Sequence, residues 1–301
     1  MVLPELDWVD KVRDQAHRVR QRAARICAAN NGGYFAQACG SAEILSTLYS
    51  QLMDLGASTG PLVPDHFRGV PRPGEPALIG DIYNGDRDRF YLSPAHYALG
   101  LYATLVEVGR LDSCVLDDVN ADGSTMELIG AEHSPGFETT SGSLAQALSV
   151  AVGQALARKR FGRPGRIWAL ISDGEIEEGQ TWEAFQAASN FGLDNLTVML
   201  DANGLQVDGW VKDVMKIEPI PEKVRAFGWN VSEVDGHDPL AIAEAASSFV
   251  EGQPSLVVCR TNPINSVPSL EGRHQLHYIR FKTGEVEAIK NDLGVLEESH
   301  K

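Results

Sequence analysis

The chain has 301 residues, 43% of them hydrophobic, enough for one large α/β domain or two small ones. Its 26 basic and 41 acidic side chains leave a net charge of −15, which excludes an electrostatic footprint for nucleic acid or an anionic membrane. No run of about eighteen apolar residues and no signal-type apolar segment is present, and Cys27, Cys39, Cys114 and Cys259 form no C-x-x-C pair, so the expectation is a cytoplasmic protein with reduced thiols and no membrane contact.

In chain order, Val9 to Ala29 has the pattern of an amphipathic helix with a basic face (Arg18, Arg20, Arg22, Arg25), stopped by Asn30 to Gly33. Ser41 to Leu55 reads as a second helix, and the Gly- and Pro-rich stretch from Gly56 to Asp86 as an irregular excursion. Phe90 to Leu92 is a short strand, Pro94 to Gly109 a helix, and Ser141 to Arg160 a long helix of small residues. Ile167 to Ile171 and Leu196 to Leu200 are short apolar runs suited to buried parallel strands. Between them Thr181 to Asn190 has Trp182, Phe185 and Ala188 spaced for one helical face. Ile217 to Phe227 is a helix, Trp229 to Val234 a strand, Pro239 to Glu251 a helix, Ser255 to Cys259 a final strand, and Gly284 to Asp292 a last helix. This alternation predicts an α/β fold: a doubly wound, mostly parallel sheet with helices on both faces.

The strand–helix–strand crossover carries the chemistry. Right-handed crossovers bring both strands to one edge of the sheet, so the loops after Ile171 and Leu200 become neighbours at the carboxyl edge, where such sheets bind ligands. Asp173 and Asn203, thirty positions apart, would then stand side by side. A carboxylate, an amide oxygen and loop carbonyls suit a hard divalent cation such as Mg²⁺, completed by phosphate oxygens and water. Each loop alone also reads as a turn, because Asp-Gly and Asn-Gly are turn signals; the joint placement favours the cation.

From about Asp7 to His277 the order of motifs resembles the diphosphate-binding part of the transketolase family, which uses thiamine diphosphate. The metal motif stands here as Ser172-Asp173-Gly174 and Asp201-Ala202-Asn203. The resemblance implies that Asp173, Asn203 and the main-chain carbonyl of Leu205 hold Mg²⁺ (Ca²⁺ and Mn²⁺ being alternatives). It implies that Gly174 and Glu175 offer backbone N–H groups to the diphosphate, and that Glu178 faces a partner subunit. The stretch from Asp86 to Leu105 is similar to a family segment that places His96 at the reacting end of the cofactor. Pro135 to Gly153 is similar to one that covers the cofactor with Gly142, Ser143 and Leu144. His277 falls where the family has a histidine reaching diphosphate and substrate. By this likeness residues 1–277 form the thiamine-diphosphate domain and residues 278–301 a helical tail. His66, His237 and His300 are expected as surface or turn residues.

Departures from the family concern the substrate more than the cofactor. Tyr34 stands where a donor-sugar histidine is usual, and His133 is a candidate to replace, at a shifted position, the histidine of the family's Gly-His-Pro loop, here Gly130 to Ser134. Ala145, Ala147 and Ser172 replace three glycines. The resemblance implies two-carbon ketol transfer from a ketose phosphate to an aldose, with His96 and His277 catalytic. It also implies a separate subunit carrying the pyrimidine-binding and C-terminal domains, an expected heterotetramer, and no activity from this chain alone. The alternatives are the α subunit of a thiamine-diphosphate-dependent 2-oxo acid dehydrogenase or acyloin-forming enzyme, and a degenerate subunit that only scaffolds its partner. A nicotinamide-binding fold is disfavoured because no G-x-G-x-x-G turn follows the first strand.

Overall fold

The computed structural model describes residues 7–58, 60–67, 69 and 86–295. The first helix, α1 (Asp7–Ala29), buries Val9, Val12, Ala16, Val19 and Ala23 along one stripe, and Asp7 and Asp10 in its first turn complement the helix dipole. Its basic face is paired. Arg18 and Arg22 donate to Glu107, Arg25 to Asp117, and Arg20 is buried against Glu43. The second helix, α2 (Phe35–Thr47), starts at Phe35 and not at Ser41. All its residues are buried, so no amphipathic stripe marked its beginning in the sequence. It runs into a π-helical turn, Leu48–Leu52.

After β1 (Arg89–Leu92) a 3₁₀ turn at Ala95–Tyr97 leads into α3 (Ala98–Glu107). The helix expected from Ser141 begins later, as α4 (Gln146–Phe161), because the preceding residues are tied to the sheet. Ser141 Oγ donates to the Leu92 carbonyl at 2.9 Å, and Ala145 takes a left-handed conformation with φ of 68°. Then come β2 (Ile167–Ser172), α5 (Gly179–Asn190), β3 (Leu196–Ala202) and a small antiparallel ribbon, β4 (Leu205–Gln206) and β5 (Gly209–Trp210). They are followed by α6 (Val211–Val214), α7 (Ile220–Ala226), β6 (Asn230–Asp235), α8 (Pro239–Ala246), β7 (Ser255–Arg260) and α9 (Glu285–Asp292). Helix α8 stops at Ala246, short of Glu251: Ser247 and Ser248 are weaker helix formers, and Gln253 folds back to bridge Val250.

The five long strands make one parallel sheet in the order β1-β2-β3-β7-β6. Strand alternation divides the core. Ile167, Ala169 and Ile171 of β2 point to the layer of α4, α5 and α7, while Trp168 and Leu170 point to that of α1, α2 and α3. Helices therefore cover both faces, as a parallel sheet requires. The segment after His277 shares this core. Gly33 and Ile279 exchange two backbone hydrogen bonds of 3.0 Å, and Ile279, Ile289 and Leu293 are buried with α1 and α2, so the boundary at 277 marks no break in packing. Part of the excursion between Gly56 and Asp86 lies outside the described residues. Of the rest, Phe67 N donates to the Gly123 carbonyl and Asp112 N to the Leu62 carbonyl.

Candidate cofactor site

The register of β2 and β3 pairs Ser172 with Asp201, so the two following loops leave the sheet together. They touch: Gly204 N donates to Asp173 Oδ2 at 2.6 Å. The other Asp173 oxygen, Oδ1, is buried with no hydrogen-bond partner among the described residues. Burial, and then the Asp201 carboxylate, push the Asp173 carboxyl up to about 8. An unpaired carboxylate in such a place is costly unless a cation neutralises it.

Asn203 is fixed at both ends of its amide. Its Oδ1 accepts from Leu205 N at 2.8 Å, and its Nδ2 donates to Asp201 Oδ2 at 2.8 Å and to the Tyr97 hydroxyl at 3.0 Å. An amide oxygen has two lone pairs, so Oδ1 retains one for a ligand. Asp201 is fully buried and is held by Tyr97, Thr261 and Asn203. Sequence reasoning missed it as an orienting group, though an aspartate inside an apolar strand is itself a signal.

Glu175 has a second part beside the expected one. Its side chain, fully buried, accepts from Ser93 Oγ, from Ala145 N at 2.8 Å and from Ser172 N at 2.8 Å. It thereby joins the loops after β1 and β2 to the start of α4. The Ser172-x-x-Glu175 spacing of a helix start is the pattern that could have found it. Burial raises the Glu175 carboxyl, against which these donors work.

Above the loops lies a cleft of about 320 Å³. Its lining includes Tyr34, Gln37, His96 and His277, then Gly142 and Leu144, and from the two loops Asp173, Gly174, Glu178 and Leu205. A Cβ added at Gly142 would come no nearer than 3.8 Å to Ile129, and one at Gly174 no nearer than 3.9 Å to Gln206. The protein itself would accept a methyl group at either of these lining positions.

The histidines differ. His96 and His277 have ring centroids 5.0 Å apart, and Tyr34 lies 5.1 Å from His96 and 5.7 Å from His277. Burial, followed by His277, pushes the His96 imidazole down to about 3, and burial also lowers His277 against the pull of Asp208. Both are neutral at neutral pH. His133 is not in the lining; it stacks on Phe67 at 4.2 Å and its Nε2 lies 3.0 Å from Glu127 Oε1. Ser143 is exposed beside the lining residues, and Glu178 is exposed at its rim. His237, expected as a turn residue, has Nδ1 2.9 Å from Glu43 Oε2.

The donor set fits a magnesium–diphosphate group better than a self-sufficient metal centre. Among the described residues no cluster of three or more His, Cys, Asp or Glu could hold an ion. One carboxylate with a spare buried oxygen plus one amide oxygen leaves coordination to be completed by a ligand, as Mg²⁺ is usually bound with phosphates.

The chain is similar to proteins of one family. The family described as transketolase, thiamine diphosphate binding domain, matches residues 80–300. An uncharacterised transketolase family protein of Sinorhizobium fredii is 38% identical over 92% of this chain and 93% of its own length. An apulose-4-phosphate transketolase subunit from Actinobacillus succinogenes is 30% identical over 94% of this chain and 96% of its own length. A solved transketolase variant of Pichia stipitis with fructose 6-phosphate superposes with a TM-score of 0.76 at 25% identity; it covers 94% of this chain, which spans 41% of that one.

Proposed function

Since this chain belongs to the transketolase family, we propose that it is the diphosphate-binding subunit of a two-chain transketolase. It would bind thiamine diphosphate with Mg²⁺ and transfer a two-carbon ketol unit between a ketose phosphate and an aldose. Family membership favours this over the 2-oxo acid dehydrogenase alternative. The observation that carries the site is the buried, unpartnered Asp173 Oδ1 beside Asn203 at the carboxyl edge of the sheet. The Actinobacillus relative, of nearly equal length, is itself named as one subunit of a transketolase, which supports the need for a second chain.

In this reading Asp173 and Asn203 hold the cation, with the Leu205 carbonyl, and the N–H groups of Gly174 and Glu175 meet the diphosphate. Gly142 and Gly174 leave its volume free. Thiamine diphosphate supplies the electron sink for breaking and making the carbon–carbon bond. The protein's share is to orient the substrate and move protons. His96, neutral and at the cleft wall, accepts a hydroxyl proton; Tyr34 and His277 hold substrate oxygens. Glu178, at the rim, meets the second subunit. Among the described residues no helix is long and apolar enough to cross a membrane.

The test mixes the chain with a subunit that carries a pyrimidine domain. Titration with thiamine diphosphate and Mg²⁺ should give saturable heat, and two-carbon transfer should appear in the mixture and not with this chain alone. Turnover by this polypeptide by itself would refute the two-subunit requirement. Absence of cofactor binding in both arrangements would leave only a scaffolding part.

A further inference from the structure

Gln37 was not singled out by any motif, and it occupies the wall of the cleft. It sits in α2, is 2% exposed, and its Nε2 lies 3.0 Å from His277 Nδ1 across 240 residues of sequence. An amide nitrogen can only donate. With the amide this way round, His277 Nδ1 accepts, and the proton of its neutral ring sits on Nε2. No described residue hydrogen-bonds the His96 ring, which stands 5.0 Å away with only ring contacts to Tyr34, Tyr97 and His277.

The bland explanation is that Gln37 fills space in a buried helix. Its other polar atom argues otherwise: Oε1 is buried without a partner. An apolar side chain of the same size would fill that space with no orphaned acceptor. The amide sits there at a cost, and among the described residues the one hydrogen bond its side chain makes is with His277.

We infer that Gln37 is a positioning residue that holds His277 as the Nε2–H tautomer, making His277 the fixed hydrogen-bond donor of the cleft and leaving His96 as its proton acceptor. This deepens the ketol-transfer reading and rests on it for its meaning. A fixed N–H suits a carbonyl or hydroxyl oxygen of a polyhydroxylated substrate, and an unbonded neutral imidazole beside it suits a hydroxyl proton. Two like side chains thereby take opposite parts because one of them has a partner.

Nitrogen-15 spectra of the full chain with labelled histidines read the tautomer directly, with His277 assigned by its loss in His277→Asn. The wild type should show Nε2 protonated and Nδ1 shifted as a hydrogen-bonded acceptor. In Gln37→Met, which conserves volume, the Nδ1 resonance should move to the position of an unbonded ring nitrogen. In Gln37→Glu, where the carboxylate can only accept, Nδ1 should carry a proton. Thermal unfolding of both variants checks that they fold, and the glutamate variant keeps the shape if the methionine one does not. A wild-type Nδ1–H tautomer, or an Nδ1 resonance unmoved by either substitution, overturns the assignment. In the complex with the second subunit, Gln37→Met should lower kcat/KM for the ketose about tenfold to a hundredfold; an unchanged kcat/KM removes the catalytic meaning of the tautomer. If the wild-type complex transfers no ketol unit, the proposed function fails, while the spectra still decide what Gln37 does to His277.

Discussion

At the scale of single residues, the site is a set of polar groups whose partners define their tasks. Asp173 has one oxygen engaged and one orphaned. Replacing it with alanine removes the orphan and the proposed anchor of the cation together. Asp173→Ala should therefore abolish measurable binding of thiamine diphosphate with Mg²⁺ while the chain stays folded; retained affinity in calorimetry would end the metal assignment. His96 gives two outcomes. His96→Asn should spare cofactor binding and lower turnover of the complex by about two to four powers of ten, the usual scale of general acid–base catalysis. Its ionisation also weighs on stability. The folded imidazole titrates at about 3 and an unfolded one near 6.5, so the unfolded chain binds the extra proton between those values. His96 costs nothing above about pH 6.5 and destabilises increasingly as pH falls below it. Between pH 7 and 5 the urea midpoint of the wild type should fall further than that of His96→Asn; parallel falls would contradict the buried, neutral imidazole.

At the scale of elements, the start of α4 is the informative case. Its expected beginning at Ser141 came from a continuous run of small residues, which says nothing about where the backbone is recruited elsewhere. Ala145 N donates to Glu175, and the residue accepts a left-handed φ of 68° to do so. Alanine is strained there and glycine is not. Ala145→Gly should raise unfolding stability by about 1 kcal/mol in urea denaturation, the scale of a relieved left-handed conformation. A destabilisation would mean that the lost side chain mattered more than the strain. The beginning of α2 failed to show for a different reason: a helix buried on all sides has no polar face to reveal its period.

At the scale of the whole molecule, a buried ionic junction ties distant parts behind the site. Arg20 of α1 donates to Glu43 of α2 and to the Cys39 carbonyl, and His237 from the turn after β6 closes on the same carboxylate. Burial would raise the Glu43 carboxyl, but the His237 and Arg20 hydrogen bonds outweigh it and hold the group below its ordinary range. Glu43→Gln leaves the Arg20 guanidinium buried beside a neutral amide, and breaking such a pair costs about 3–5 kcal/mol. Denaturant unfolding checks the loss; a change under about 1 kcal/mol would mean that water or another group replaces the carboxylate.

The sequence determined the parallel α/β architecture, the crossover and the meeting of Asp173 with the Asn203–Gly204 turn, because short apolar runs, helical spacing and turn residues are local and the hand of a crossover is nearly invariant. Family likeness added His96, His277 and the glycines. The tertiary structure alone decided that Glu175 works through its side chain, that Asp201 and Tyr97 orient Asn203, that His133 packs on Phe67, and that Gln37 holds His277. Apart from the Asp201–Asn203 bond, those contacts join residues from separate elements, up to 240 positions apart, and no periodicity within a segment encodes which remote partner a buried polar group will find.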